Sequence, residues 1–331
     1  MIDRRTFIAA AGGVAVTRVL PATAQQAKRP PVVGLVFAAT PLAEMAGPDP
    51  LSVPARGFVH GLRDLGWIDG RSVVIERRSA ENDPNRAPDL FAELLARGVD
   101  VIAVTDASWL GAAALQATRT IPIVAVFSSD PVAAGVIGSL ARPGGNLTGV
   151  ASATGPEFDS KRLQLLREFA PNITRAAFLG PKEQLKQFAG VAPPAGITIA
   201  PVPVEVATHY EAAFATIRAE RADALIVGGG PIINQHVKRI IAFTAASRLP
   251  AIYGDRRAVD AGGLISYGTN SPGLWRQAAR LVHSFLNGAK IGDIPTERPT
   301  TFEMVIHAKT AKALGLTIPP LVLAQADEVI E

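Results

Sequence analysis

The sequence contains no cysteine in 331 residues. This absence excludes disulfide bonds, thiolate metal ligands, a cysteine nucleophile and a lipid-modified cysteine at the mature N-terminus. Long apolar runs are missing as well. Beyond the N-terminal region, no segment has the roughly 18 consecutive uncharged apolar residues of a membrane-spanning helix. The sequence therefore predicts a protein without covalent cross-links or a membrane-spanning segment.

Neither sign of charge dominates the chain. Lysine and arginine number 33 against 29 aspartates and glutamates, the formal net charge is +4, and there is no run of five basic residues. Nucleic-acid binding is not expected, because such surfaces concentrate their basic residues. With 48% hydrophobic and 19% charged residues, the composition is that of an ordinary globular protein, and the length fits about two domains.

Familiar catalytic fingerprints are also absent. The sequence has no GxGxxG, no GxxxxGK followed by Ser or Thr, no HExxH and no GxSxG motif. Dinucleotide, phosphate-loop, zinc-protease and esterase chemistry therefore lack their usual signatures. The five histidines are scattered along the chain. We expect neither an enzyme nor a cofactor or metal site.

The N-terminal 24 residues have the three parts of a secretory signal. Arg4 and Arg5 precede an apolar stretch from Phe7 to Leu20, and small residues follow at Ala22–Ala24. The order Arg, Arg, any residue, Phe, Ile favours a twin-arginine signal over general secretion. The alternatives are an amphipathic helix or an uncleaved anchor, and the stretch is short for an anchor. We expect a soluble mature protein outside the cytoplasm.

Short apolar runs typical of buried strands alternate with helical patterns along the chain, in two similar halves. This alternation predicts doubly wound, mostly parallel sheets flanked by helices. In the first half, strands are predicted at Val32–Ala38, Ser72–Glu76, Val99–Val104 and Ile121–Phe127, and helices at Phe58–Leu65, Ala87–Arg97 and Leu110–Thr118. In the second half, strands are predicted at Arg175–Leu179, Ile197–Val204, Ala224–Val227 and Pro250–Tyr253, and helices at Tyr210–Glu220 and Asn234–Ser247.

One joint recurs in both halves. Arg97 to Asp100 leads into the strand that begins near Val101, and Arg221 to Asp223 leads into the strand that begins at Ala224. An ordinary helix-to-strand joint of an α/β protein is one explanation, and two copies of one α/β unit are the other. Two such units form two lobes. Because ligands bind outside the carboxyl ends of parallel strands, a cleft between the lobes is the expected site.

Several longer motifs carry a family resemblance. They are Asp130–Val136, Ser139–Gly149, Ala261–Gly268 and the C-terminal stretch from Phe302 to Pro320. In this order and spacing the chain resembles a solute-binding protein family of ABC importers, in its tryptophan- or tyrosine-type branch, over about residues 31–331. The resemblance implies a two-lobed type I periplasmic binding fold with three hinge crossings. Lobe one is expected at 27–150 plus 268–298, and lobe two at 151–267 plus 299–331.

The resemblance also implies a function. A small organic solute, such as an aromatic amino acid or aromatic acid, is expected to be captured between the lobes by a periplasmic monomer and delivered to an ABC permease in the inner membrane. Closure stabilised by contacts to both lobes is the mechanism, and no bond is made or broken. The alternatives are a sensory binding protein that presents its closed form to a receptor, and a two-lobed α/β enzyme.

The candidate ligand contacts lie just past the predicted strand ends or near a hinge. They are Ala39, Thr40, Thr105, Asp106, Ser108, Ser128, Ser129, Asp130, Gly229, Gly230, Tyr253, Asp255 and Tyr267.

Several of these candidates have a second explanation. Asp130 followed by Pro131 is typical of a helix N-cap, and Asp106 with Ser108 fits a cap of the helix at Leu110. The glycines from 228 to 230 let a ligand approach the backbone or merely turn the chain. Asp130 and Asp255 are the candidate acceptors for an ammonium group. Trp109, Phe37, Tyr253 and Tyr267 are candidates for stacking on an aromatic ligand, with core packing favoured for Phe37.

Overall fold

The computed structural model describes residues 29–105, 109–127, 130–132, 135–151, 156–189 and 196–331. The predicted signal peptide lies outside the described residues. Within them, the strands form one sheet of five and one sheet of seven strands. These two sheets are the centres of two lobes, as the sequence predicts.

The sheet of lobe one is wholly parallel in the order β2-β1-β3-β4-β5. Its strands carry β-branched and other apolar residues that are buried on both faces, which is what a parallel sheet between two helical layers requires. The strands are β1 Val32–Phe37, β2 Val74–Ser79, β3 Val101–Thr105, β4 Ile123–Phe127 and β5 Leu147–Ala151.

The sheet of lobe two has the order β12-β11-β10-β9-β8-β6-β7. Its pairs are parallel except β10 with β11, which run antiparallel. The strands are β6 Arg175–Gly180, β7 Thr198–Pro203, β8 Ala224–Val227, β9 Ala251–Tyr253, β10 Ile265–Thr269, β11 Phe302–His307 and β12 Glu328–Ile330.

Helices cover both sheets. In lobe one they are α1 Leu42–Met45, α2 Val53–Asp64, α3 Ala87–Ala96, α4 Trp109–Ala117 and α11 Ser271–Leu286. In lobe two they are α5 Pro156–Phe169, α6 Lys182–Phe188, α7 His209–Ala219, α8 Pro231–Gln235, α9 Val237–Ala246, α10 Arg256–Asp260, α12 Ala308–Ala313 and α13 Pro320–Gln325. The single helix predicted at Asn234–Ser247 is wrong in one respect, because His236 (φ −109°, ψ 15°) separates α8 from α9.

The chain passes between the lobes three times: after β5, between β10 and α11, and before β11. Helix α11 returns to lobe one because its apolar face packs on α2. The approach is close enough to require glycine. A Cβ on Gly61 would lie 2.8 Å from the Cβ of Ala279, and one on Gly57 would lie 2.8 Å from the Pro272 carbonyl oxygen.

The recurring joint performs the same task in both lobes. The Asp100 carboxylate accepts a hydrogen bond from Val32 N at 2.7 Å, at the start of β1. The Asp223 carboxylate accepts from Thr174 N at 2.8 Å and Arg175 N at 3.0 Å, at the start of β6. Each aspartate thus ties the strand that it precedes to the first strand of its own sheet. This equivalence favours two copies of one α/β unit.

Candidate functional site

A cavity of about 530 Å³ lies between the two sheets, outside the carboxyl ends of their strands. Both lobes contribute to its wall. Lobe one and the crossing before α11 supply Phe37, Ala38, Ala39, Thr40, Pro41, Glu44, Pro54, Thr105, Val126, Thr269, Ser271, Leu274 and Trp275. Lobe two supplies Phe158, Asp159, Arg162, Phe178, Gln184, Gly229, Gly230, Asn234, Gln235, Gly254, Asp255 and Arg257.

The lobe-one wall is built on an aromatic stack. The rings of Phe37 and Trp275 lie 4.7 Å apart at an interplanar angle of 21°, and Phe58 meets Trp275 edge-on at 5.8 Å. Phe37 and Trp275 are only 2% and 3% exposed, so core packing fixes their positions. Beside them, the Thr105 hydroxyl accepts a hydrogen bond from Ala38 N at 2.8 Å. A rigid aromatic surface with neighbouring hydroxyl groups therefore faces the cavity.

The lobe-two wall contains a buried ion pair within the first turns of α5. Arg162 is 3% exposed, and its guanidinium lies 3.6 Å from the Asp159 carboxylate. Arg162 also donates to the Val227 carbonyl at the end of β8 and, at 3.5 Å, to the Ile252 carbonyl in β9. Burial raises the pKa of the Asp159 carboxyl, and the Arg162 charge opposes this only in part. Burial likewise lowers the pKa of Arg162 against the opposing effect of Asp159.

Asp255 begins α10 as its N-cap. Its carboxylate accepts from Arg257 N at 2.9 Å and forms an ion pair with the Arg257 guanidinium at 2.7 Å. Burial by itself would raise the pKa of the Asp255 carboxyl, but the hydrogen bonds and charge of Arg257 outweigh it and hold that pKa below its usual value. Asp255 therefore lines the cavity as an ionised carboxylate already paired within its own lobe.

The glycine-rich segment after β8 is held by a side chain. Gln184 donates to the Gly229 carbonyl at 2.9 Å and accepts from Gly229 N at 3.1 Å. A Cβ on Gly228 would lie 2.3 Å from Gln184 Oε1, and Gly230 has φ +109°. The glycines thus serve a close side-chain contact and a left-handed turn.

The structure brings part of the predicted contact set to the cavity: Ala39, Thr40, Thr105, Gly229, Gly230 and Asp255. Tyr253 is instead 1% exposed in the core, where its hydroxyl lies 3.1 Å from Thr244 Oγ1. Tyr267 stacks on Phe158 with ring centroids 5.1 Å apart and is absent from the cavity wall.

The Asp130 carboxylate accepts from Val132 N at 2.8 Å. Pro131 and Val132 form a turn, so the helix start predicted from Asp130 is not found there. Asp106, Ser108, Ser128 and Ser129 lie outside the described residues.

Sequence reasoning missed the residues that give the cavity its character: Phe158, Asp159, Arg162, Gln184 and Trp275. A signal existed for Trp275, because Leu274, Ala278, Leu281 and Val282 have the spacing of one helix face. No comparable signal marks Asp159 and Arg162, because an i, i+3 pair of opposite charges usually lies on an exposed helix surface.

The sequence model of the family described as ABC transporter substrate binding protein matches residues 45–330. The chain belongs to this family. Its two-lobed fold and the cleft at the strand ends agree with that membership, and the family is one of binding proteins. Among the described residues, no helix is long and apolar enough to cross a membrane, and no group of His, Asp and Glu could hold a metal ion.

Three relatives illustrate the similarity. A tyrosine-binding protein of Clostridioides difficile (strain R20291) is 25% identical over 268 residues, covering 79% of this chain and 76% of that protein. A crystal structure of an ABC domain from Streptococcus pneumonia in complex with L-Trp is 24% identical, with a TM-score of 0.80 over 91% of this chain and 99% of that chain. The ligand-free, open structure of a substrate binding protein with adhesive properties from Clostridium difficile is 22% identical, with a TM-score of 0.66 over 91% of this chain and 99% of that chain.

Proposed function

We propose that this protein captures an aromatic amino acid, or a related aromatic acid, in the interlobe cavity and delivers it to an ABC permease. The observation that carries the proposal is the composition of the cavity wall. Aromatic rings from both lobes and a buried pair of opposite charges face the same space. A zwitterion with a ring needs both features in one site.

The roles divide between the lobes. The Phe37–Trp275 stack in lobe one offers a flat face to an aromatic ring, and Phe158 contributes a second ring from lobe two. Asp159 is the carboxylate that receives the ammonium group, because its contact with Arg162 is 3.6 Å long, whereas Asp255 is bonded to Arg257 at 2.7 and 2.9 Å. The hydroxyl groups of Thr40, Thr105 and Ser271 are donors within reach of the cavity for the ligand carboxylate.

The size of the cavity supports the same ligand class. Small-molecule sites commonly enclose about 300–1,000 Å³, and the volume here is about 530 Å³. The tyrosine-binding and L-Trp-bound relatives agree with this choice of ligand.

The proposed mechanism is closure around the ligand. A solute that contacts both walls stabilises the closed state by its extra contacts there, and the closed form is what a permease recognises. The ligand leaves chemically unchanged. We further propose that the protein acts as a monomer in the periplasm after export by the N-terminal signal, whose twin arginines Arg4 and Arg5 support that route.

A matched ligand panel tests the proposal. Calorimetry and thermal shift would compare L-tyrosine, L-tryptophan and L-phenylalanine with L-alanine, which lacks the ring, and with 3-phenylpropionate, which lacks the ammonium group. We expect saturable binding and a ligand-dependent rise in Tm for the aromatic amino acids, because a ligand of the folded state stabilises it by mass action. Equal binding of alanine, or recovery of a chemically altered ligand by mass spectrometry, would contradict the proposal.

A further inference from the structure

A direct hydrogen bond joins the lobes at the rim of the cavity. The Asn82 side chain, just after β2 in lobe one, donates to Gln235 Oε1 in lobe two at 2.9 Å. Gln235 ends α8 and lies on the cavity wall, whereas Asn82 is not part of that wall. The contact therefore spans the opening between the lobes through protein atoms alone.

Asn82 is held in place by its backbone. Its N–H donates to the Ala38 carbonyl at 2.6 Å, next to the cavity residue Ala39. Its φ is +61°, and that of Glu81 is +51°. Residues other than glycine seldom adopt this left-handed backbone conformation, and asparagine tolerates it better than most. The backbone thus fixes the point and direction at which the Asn82 side chain leaves the main chain.

Gln235 is fixed from the opposite side. Helix α8 follows the glycine segment that Gln184 binds, and Asn234 N donates to the Gly230 carbonyl at 3.0 Å. The buried Tyr210 hydroxyl donates to the Ile232 carbonyl at 3.0 Å within the same helix. Both partners of the contact are therefore anchored to their own lobe beside the cavity.

The two lobes are arranged more as in a ligand-bound relative than as in an open one. The TM-score is 0.80 against the L-Trp complex and 0.66 against the ligand-free, open structure, at similar identity and equal coverage. The two lobes together match the former better than the latter.

We propose that Asn82 and Gln235 form a clasp that stabilises the closed state independently of the ligand. The clasp rests on the proposed function, because closure over a solute gives it a purpose. The two side chains are positioning residues, because they act on the lobes and need no contact with the solute. Their contact sets how often the empty protein closes and how slowly a bound ligand leaves.

The first test needs no ligand. Since the chain has no cysteine, Asp89→Cys on α3 and Ala242→Cys on α9, both exposed, accept one spin label each. Pulsed electron paramagnetic resonance on the labelled, ligand-free protein then measures the distance between lobes. Asn82→Gly removes the side chain and keeps the left-handed backbone, and Gln235→Ala removes the acceptor. We expect a larger share of open distances in either variant, and no further change in the double variant.

The second test uses the rate of ligand release. For the tightest aromatic ligand of the panel, each variant should release the ligand about two- to tenfold faster with an unchanged association rate, as expected for loss of one exposed hydrogen bond. Gln325→Ala is the matched control, because Gln325 also makes an exposed side-chain contact but within lobe two, to Lys161. It should change neither the distances nor the release rate.

The outcomes separate the two proposals. If no ligand of the panel binds, the proposed function fails while the distance measurement still judges the clasp. If ligands bind but Asn82→Gly and Gln235→Ala leave the distances of the empty protein unchanged, the clasp is overturned and the proposed function stands. A release rate that rises equally in Gln325→Ala would also overturn it.

Discussion

The two lobes share their framework and differ at the cavity. In each lobe, the aspartate just before one strand accepts hydrogen bonds from the backbone near the start of the first strand of that sheet. Asp100 accepts from Val32, and Asp223 accepts from Thr174 and Arg175. At the opposite strand ends the equivalence is lost. Lobe one presents the Phe37–Trp275 stack, and lobe two presents the Asp159–Arg162 pair. The two lobes are thus alike at the starts of their strands and different at the strand ends that line the cavity.

The difference has an energetic side. Burial of the lobe-one aromatics stabilises the protein whether or not a ligand is present. A buried ion pair does not, because the cost of desolvating two charges cancels much of their attraction. Lobe two therefore maintains a charged wall that contributes little to its own stability. A charged wall of this kind is typical of a binding surface. The following variants test the contrast between the aromatic wall of lobe one and the charged wall of lobe two.

The largest effect is expected from Arg162→Met. The variant leaves Asp159 buried without its cation and removes the donor to the Val227 and Ile252 carbonyls. The free energy of unfolding should fall by about 3–5 kcal/mol, measured by urea denaturation. The double variant Asp159→Asn with Arg162→Met should recover part of this loss. A change below about 1 kcal/mol in the single variant would show that the Asp159 carboxylate carries no desolvation cost without its cation.

Asp159→Asn should weaken an aromatic amino acid by about tenfold or more, because the neutral amide no longer pairs with the ammonium group. It should affect 3-phenylpropionate far less. Since burial raises the pKa of the Asp159 carboxyl, affinity of the native protein should fall as the pH drops through that raised pKa and the carboxylate becomes protonated. Calorimetry across acidic pH should find this decline in the native protein and its absence in the variant. Equal pH profiles of affinity in the native protein and the variant would contradict the role of Asp159 as the ammonium acceptor.

Asp100→Ala and Asp223→Ala compare the shared framework directly. Each removes hydrogen bonds to the backbone at the start of a strand, so each should lower the free energy of unfolding by about 1–2 kcal/mol and leave ligand affinity unchanged. Urea denaturation and calorimetry measure both quantities. If one variant costs several times more than the other, the two joints are alike in sequence only.

The smallest effect is expected from Tyr253→Phe. The variant keeps the buried ring and loses the hydroxyl contact with Thr244. Stability should fall by about 1 kcal/mol or less, and ligand affinity should stay within twofold, because Tyr253 packs in the core of lobe two. A marked loss of affinity would return Tyr253 to the contacts that its place in the sequence predicts.

The sequence predicts the framework better than the cavity, for a physical reason. Buried parallel strands such as Ala224–Val227 are continuous apolar runs, and their pattern is local. The cavity wall is assembled from distant segments. Trp275 reaches Phe37 only because the chain crosses back into lobe one, and Arg162 reaches the ends of β8 and β9 only after α5 packs on lobe two. A tyrosine at the end of a strand, such as Tyr253, can equally point into the core.

The tight seam between α2 and α11 has a consequence for how the cavity is tuned. Gly57 and Gly61 let α11 sit directly on its neighbour, and α11 carries Trp275. The position of the Trp275 indole therefore depends on the contact between the two helices at these glycines. A side chain introduced at either glycine would displace α11 and with it Trp275. The aromatic surface of the cavity can therefore be altered by substitutions at positions that are not part of the cavity wall.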